Sequence, residues 1–551
     1  MGYVSNGQAR IPVLNTAALN GAAAMTTARS GAGMVSAPHA LAAQAGARVL
    51  AEGGNAIEAT LATAATLCVV YPHMTGIGGD SFWLIARPGA APLTIDGAGR
   101  SGAAVTTALY RDHNLREVPW RGPLAANTVA GAVSAWDAAW QISRQWGGRL
   151  PLSRIFADAT ALAENGTVVT AGHAEAANRF RAVLEPVCGF TDLHFIRGAP
   201  PAAGDLLRQA ALARTFSLLS RDGLASFYAG TLARQIQAEL LAAGVPLSAA
   251  DFAAQGATLG TPLRLALPLA QVFNCGPPTQ GLASLLILGT FARLGITTAD
   301  TFPYVHGLVE STKRAFAIRD REVGDRDDGA SLSRYLTDAE LQRSAAAIDL
   351  ERAAPWVSGA GDGDTTWFGT IDAAGRSVSA IQSLYFEFGS AVGLPNSGFV
   401  WQNRGCAFRL FGSGPNVLGP RRKPFHTLNP AFARFADGRT MVYGAMGGDG
   451  QPQTQAAVFT RYAFHGQDLQ ASICAPRWLL GRTWGETRAT LRVESRFPDE
   501  LFAQLAAAGH PVERVAPFDQ TMGHAGAVVH TPQQGFEGAS DPRSDGAAIG
   551  C

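Results

Sequence analysis

Gly361-Asp362-Gly363-Asp364-Thr365-Thr366 is a polar, turn-forming stretch that runs directly into Trp367-Phe368-Gly369-Thr370-Ile371, where side chains alternate at the period of a β-strand. The join presents a hydroxyl at the first residue of a strand. Downstream, 372–375 has turn composition, and Val378, Ala380 and Gln382 continue an opposing strand, so a hairpin is predicted. A second hairpin is expected from 433–435, the Asp437-Gly438 turn and 441–443. It runs into Gly447-Gly448 and a helix-like stretch over 453–462.

Upstream, Leu41, Ala45 and Val49 recur at helical spacing until Gly53-Gly54, and Ile57, Leu61, Ala64, Ala65 and Cys68 mark a second helix. Both are alanine-rich, which suits close packing in a buried layer. A strand over 81–86, a Pro88-Gly89 break and a strand ending at Ile95 predict another hairpin. The middle, 129–323, reads as a mostly helical cover. Helices flanking two β-rich blocks predict an α+β layered architecture.

The chain has 551 residues, 47% hydrophobic and 16% charged, enough apolar material for a large core. Its formal charge of +1 argues against nucleic acid or an anionic membrane as partner. The six cysteines, at 68, 188, 275, 406, 474 and 551, are too dispersed for a zinc cage or a disulfide framework. No secretory signal and no membrane span are read, so the expected location is the cytoplasm. No Gly-x-Ser-x-Gly elbow, His-Glu-x-x-His helix or phosphate loop is present, so no metal and no cofactor are expected. The Gly-x-Gly-x-x-Gly match at 97–102 reads as a chance match in a chain with 63 glycines.

Taken alone, Thr365 is an ordinary strand-opening threonine. A longer series changes that reading: 33–39 (Gly-Met-Val-Ser-Ala-Pro-His), 53–56 (Gly-Gly-Asn-Ala), 72–79 (Pro-His-Met-Thr-Gly-Ile-Gly-Gly), 227–230, 276–278, Asp320-Arg321, Thr365-Thr366, Gly389-Ser390, Gly447-Gly448 and 538–543. In this order the residues resemble the γ-glutamyltransferase family of N-terminal-nucleophile hydrolases from about 33 to 543. The resemblance implies a four-layer αββα sandwich formed jointly by two chains of one self-cleaved precursor. Residues 1–32 would be an N-terminal extension, 33–364 a large subunit with its helical cover, and 365–551 a small subunit beginning with the nucleophile.

It further implies self-cleavage between Asp364 and Thr365, with Thr365 as nucleophile and, through its freed α-amine, as base. An α-amine with a reference pKa of about 7.7–8.0 is partly neutral near pH 7, which suits that task. Gly447 and Gly448 would form the oxyanion hole, and Ser383 would support the nucleophile. The two subunits would associate as a heterodimer; a dimer of heterodimers is left open.

Family members that bind a γ-glutamyl group use an arginine and a pair of aspartates at positions that here read Ala98 and Cys406-Ala407, with Arg100 two residues beyond the first. Their serine pair reads His426-Thr427. No carboxylate remains at 406–407 for a substrate ammonium group, so γ-glutamyl substrates should bind poorly. Arg404, with Tyr385, His426, Thr427 and Thr366, is the expected binding set for a small acidic amide such as oxamate. Arg404 as a structural salt bridge and His426 as a satisfied loop histidine stay open. So do γ-glutamyl transfer, glutathione hydrolysis, a glutaryl-type cephalosporin acylase activity and an uncleaved, non-catalytic binding role. The wording at 71–74 and 79–83 is closer to oxamate-hydrolysing members.

Overall fold

The computed structural model describes residues 26–326, 329–356, 364–481 and 490–551. Two seven-stranded antiparallel sheets form its centre. Their strands, in chain order, are β1 (Ala28–Ser30), β2 (Gly33–Ala37), β3 (Asp80–Ala86), β4 (Leu93–Gly97), β5 (Thr258–Gly260), β6 (Leu263–Ala266), β7 (Ala270–Asn274), β8 (Asp364–Asp372), β9 (Ser377–Tyr385), β10 (Ala431–Phe435), β11 (Thr440–Ala445), β12 (Ala525–Thr531), β13 (Gly535–Ser540) and β14 (Ala547–Gly550). The first sheet runs β14-β2-β8-β9-β3-β4-β5 and the second β1-β13-β12-β11-β10-β7-β6.

Alternation along β8 shows how the layers are assigned. Trp367 and Ile371 enter an apolar layer between the sheets with Phe82, Ile381, Phe432, Val442 and Val528, whereas Phe368 joins the helical side. On that side lie α1 (Ala40–Ala51) and α2 (Ala56–Val70), together with α3 (Ala132–Gln145). Asn55 and Glu58 close α2 with a reciprocal capping box, and every residue of α2 is buried. Its alanine content permits close contact: a Cβ on Gly46 of α1 would lie 2.3 Å from Thr63 Oγ1 of α2. The second sheet is covered by α4 (Gly281–Phe291), α5 (Phe302–Glu322) and α6 (Gly450–Phe459). The result is the expected α+β, four-layer order.

Both hairpins around Thr365 and Gly447 form with the expected strands, and the helix over 453–462 begins earlier, at Gly450. The middle segment is not helical throughout. Within it β5, β6 and β7 extend both sheets, because alternation such as the buried-exposed-buried-exposed pattern of β6 suits a sheet edge even between helices. Residues 97–102 open no helix, and a Cβ on Gly99 would lie 1.6 Å from the Val129 carbonyl oxygen. Those glycines serve backbone packing. Part of the expected N-terminal extension is built into the fold: β1 pairs with β13. Residues 361–363 lie outside the described residues. Among the described residues, no helix is long and apolar enough to cross a membrane.

Candidate active site

Thr365 sits at an irregularity in the β8–β9 ladder. Asp364 pairs with Tyr385 and Thr366 with Gln382, so Ser383 and Leu384 together oppose Thr365. Such a bulge re-aims a side chain and relaxes local pairing. Thr365 is fully buried and on the same face as Trp367, toward the second sheet. There Gln451 Nε2 donates to its Oγ1 at 3.0 Å. Gln451 belongs to the first turn of α6, so that helix N-terminus meets the Thr365 hydroxyl.

Gly447 and Gly448 connect β11 to α6 with φ of 115° and 52°, values in the left-handed half of the map that glycine tolerates. Both are buried, and neither N–H has an acceptor among the described residues. Unengaged buried donors at a helix N-terminus are what a developing oxyanion requires. Several buried groups fix the loop. Arg319 of α5 bonds Asp449 at 2.6 Å and Gln280 Oε1 at 3.0 Å, while Gln280 Nε2 donates to the Gly448 and Thr427 carbonyls. Next to Gly447, the 522–525 segment is held by Arg477, which donates to the Gly523 carbonyl, and by Asp541, which accepts from Ala525 N. Asp541 also pairs with Arg477 and Arg543, and these neighbours lower its carboxyl despite full burial. The 538–543 motif therefore braces the Gly447-Gly448 loop.

The pocket cation is Arg404, 1% exposed, with its guanidinium carbon 3.8 Å from the centre of the Tyr385 ring. Tyr385 adopts φ of 86° just where β9 passes Asp364, so the strained backbone carries the stacking ring to the nucleophile's end of the sheet. Arg404 donates weakly to Thr427 Oγ1 at 3.5 Å, and its Nη1 has no hydrogen-bond partner among the described residues. Burial lowers its guanidinium to about 10, so it remains charged at neutral pH. His426 is fully buried and held through its backbone by Pro278 and Gln280. Burial, then Arg404, keeps its imidazole well below the usual histidine range.

The sequence reading missed Asp80. It lies on β3 opposite Ser383, with Oδ1 accepting from Gly99 N, Gly131 N and Gln402 Nε2 at 2.9–3.0 Å. Its Oδ2 is 3.2 Å from His426 Nε2. Burial pushes this carboxyl up to about 7, against the opposing pull of Gln402 and Arg404. The expectation of no carboxylate at 406–407 holds at those positions, where Cys406 Sγ donates to the Pro119 carbonyl. A different strand brings a carboxylate in. The sequence shows an aspartate opening the mostly apolar 80–86 strand after Gly78-Gly79, but nothing local says that this acid is buried beside His426.

Thr365, Ser383, Gly447 and Gly448 thus occupy one end of the two sheets, with Tyr385, Arg404, Thr427 and His426 beside them. Ser383 Oγ accepts from Tyr385 N at 2.8 Å and so stabilises the bulge. Thr366 does not join them: it faces the helical layer with Phe368, and its hydroxyl is used on the Gln382 carbonyl at 2.9 Å. Ala98 lies in the intersheet core, and the Arg100 side chain, 44% exposed, turns outward to the Arg421 carbonyl. Away from this site, His306, Glu310 and His510 are spaced for a metal. However, His306 Nδ1 and His510 Nε2 are 2.8 Å apart, a hydrogen bond, whereas tetrahedral zinc ligands stand roughly 3.3 Å apart. Lys313 also pairs with Glu310 Oε1 at 2.7 Å. The cluster is a hydrogen-bonded brace.

The family model for gamma-glutamyltranspeptidase matches residues 42–551. The oxamate amidohydrolase proenzyme of Klebsiella pneumoniae subsp. pneumoniae is 50% identical over 94% of this chain and 98% of its own length. The glutathione hydrolase-like YwrD proenzyme of Bacillus subtilis is 39% identical over the same shares. The crystal structure of cephalosporin acylase from Bacillus halodurans superposes with a TM-score of 0.87 at 29% identity, covering 100% of this chain and 99% of that one. Family model, full-length relatives made as proenzymes and shared architecture agree, and the chain belongs to the gamma-glutamyltranspeptidase family of self-processing amide hydrolases.

Proposed function

We propose that this chain cleaves itself before Thr365 and then hydrolyses a small amide carrying a carboxylate, with oxamate as the leading substrate. In the precursor, Thr365 Oγ attacks the Asp364 carbonyl carbon; the acyl group shifts from nitrogen to oxygen, which frees the Thr365 α-amine, and water then hydrolyses the ester to release the Asp364 carboxyl and restore the Thr365 hydroxyl. That amine then takes the Oγ proton as Oγ attacks the substrate amide. The N–H groups of Gly447 and Gly448 stabilise the resulting oxyanion. Collapse expels ammonia with the proton held by the amine, and a water activated by the same amine releases the acid from Thr365. Oxamate and water become oxalate and ammonia.

The observation that carries the substrate class is Arg404: a fully buried cation with one guanidinium nitrogen unpartnered, stacked beside the nucleophile's strand end. An unpaired buried charge is costly, and a substrate carboxylate supplies its partner. The name of the 50% identical relative supports the same choice. Asp80 does not restore an ammonium site, because Oδ1 already accepts three donors and Oδ2 faces His426.

The test is mass spectrometry of the purified protein with a turnover comparison on oxamate, a glutaryl amide and γ-glutamyl anilide. Expected are a chain starting at Thr365, fastest turnover of oxamate, and a Thr365→Ala protein that stays whole and inactive. Processing of Thr365→Ala, or preference for the anilide, overturns the reading.

A further inference from the structure

We infer that Asp80 and His426 act as a proton-coupled specificity element, so that binding a carboxylate at Arg404 draws one proton from solvent onto the pair. The inference rests on the function proposed above. Asp80 stands beyond ion-pair distance of Arg404 but within reach of its charge, so a substrate carboxylate bound at Arg404 would repel an ionised Asp80 across a site of low dielectric. Protonating Asp80 removes its charge and leaves Arg404 to the substrate.

The geometry suits this exchange. Asp80 Oδ1 is fixed by three donors, so the carboxyl cannot rotate away, and Oδ2 stands 3.2 Å from His426 Nε2. At 3.2 Å the two atoms are not aligned for a hydrogen bond, and neither has another partner among the described residues. A rotation of the imidazole would let Nε2–H donate to an ionised Asp80, or a protonated Asp80 donate to Nε2 with the imidazole proton on Nδ1. The imidazole stays neutral in both states, so one proton enters the pair and neutralises the carboxylate. Neither ring nitrogen of His426 has a hydrogen-bond partner among the described residues, which leaves the imidazole free to turn toward Asp80 and Nδ1 able to carry or lose that proton.

The groups that act on the pair come from several elements. Asp80 feels Arg404, the Gln402 amide and the N–H groups of Gly99 and Gly131, and it in turn raises the Tyr228 hydroxyl. His426 feels Arg404, Asp96 and Lys423, the last two joined by a 2.7 Å ion pair, and packs edge-on against Phe82. Arg404 is the cation acting on both members. An Asp80 carboxyl pushed up to about 7 is poised to change state in the working range of the reaction.

Calorimetric titration of the processed protein with oxalate, in phosphate and in Tris at pH 8, measures the proton count. Expected is uptake approaching one proton per oxalate in the wild type, with affinity falling up to about tenfold per pH unit above neutrality. The Asp80→Asn variant should bind with no uptake and little pH dependence, because asparagine keeps an oxygen for the three donors and carries no charge. Its folding is read from self-cleavage and melting. Absence of uptake in the wild type overturns the inference whatever the variant does, as does uptake that persists in Asp80→Asn. Oxamate turnover without uptake overturns the inference alone; failure of both turnover and oxalate binding overturns the amidohydrolase reading too.

Discussion

Arg404 Nη1 is the clearest incomplete group at the site, since the rest of the buried cation is stacked on Tyr385 and bonded to Thr427. Removing a desolvated charge-assisted contact costs about 2–5 kcal/mol. Arg404→Ala should therefore raise KM for oxamate by roughly 30-fold or more while a gel still shows self-cleavage. Loss of cleavage with it would mean that Arg404 works on the precursor and not on substrate. The places of Thr365 at a strand's start and of Gly447 and Gly448 in a strand-to-helix turn were legible in the sequence, because alternation and glycine mark such joins, whereas their proposed roles came from the family resemblance. Asp80, Gln451 and Arg319 were not legible: each reaches the site from a separate element, and nothing local in the sequence tells a buried glutamine on a helix from a solvated one.

Trp367 shows how one element positions the chemistry of another. Its indole donates to Ser379 Oγ at 2.9 Å and lies across the intersheet gap on two glycines. A Cβ on Gly444 would stand 2.1 Å from its ring, and one on Gly526 2.3 Å. β11 carries Gly444 and ends two residues before Gly447, while β8 carries Trp367 two residues after Thr365. The ring thus sets the separation of Thr365 from the Gly447-Gly448 loop, the proposed nucleophile and oxyanion donors. Gly444→Ala should lower stability by about 1–3 kcal/mol, the usual penalty for overpacking. It should also slow self-cleavage, followed as loss of the full-length band; a variant that melts earlier yet processes at the normal rate would break the link between ring and loop. The hairpins on either side were readable from alternation and turn residues. β5, β6 and β7 were hidden because they are short and lie among helices; β5 and β7 depend on distant partners, and β6 pairs only with β7 at a sheet edge.

Across the whole molecule, the expected cut separates the sequence without separating the fold. In the first sheet β2 lies between β14 and β8, and β9 pairs with β3; in the second, β1 pairs with β13 and β10 with β7. These five pairings join residues before 365 to residues after it, and the layer between the sheets mixes Phe82 and Phe273 with Trp367, Phe432 and Val528. Pulling the pieces apart would expose that layer and leave sheet edges open, a large loss of apolar burial. The 364- and 187-residue products of this 551-residue chain should hence elute together in native size exclusion and separate only in denaturant. Cleavage does change the order of the unfolding reaction. Once two chains are released, apparent stability gains about 1.4 kcal/mol for each tenfold rise in protein concentration, whereas Thr365→Ala, still one chain, unfolds at a midpoint independent of concentration. Denaturant curves at two concentrations distinguish the cases. A processed protein whose midpoint does not move, or fragments that part in native buffer, would show that the two sheets do not depend on both products in the way their strand order requires.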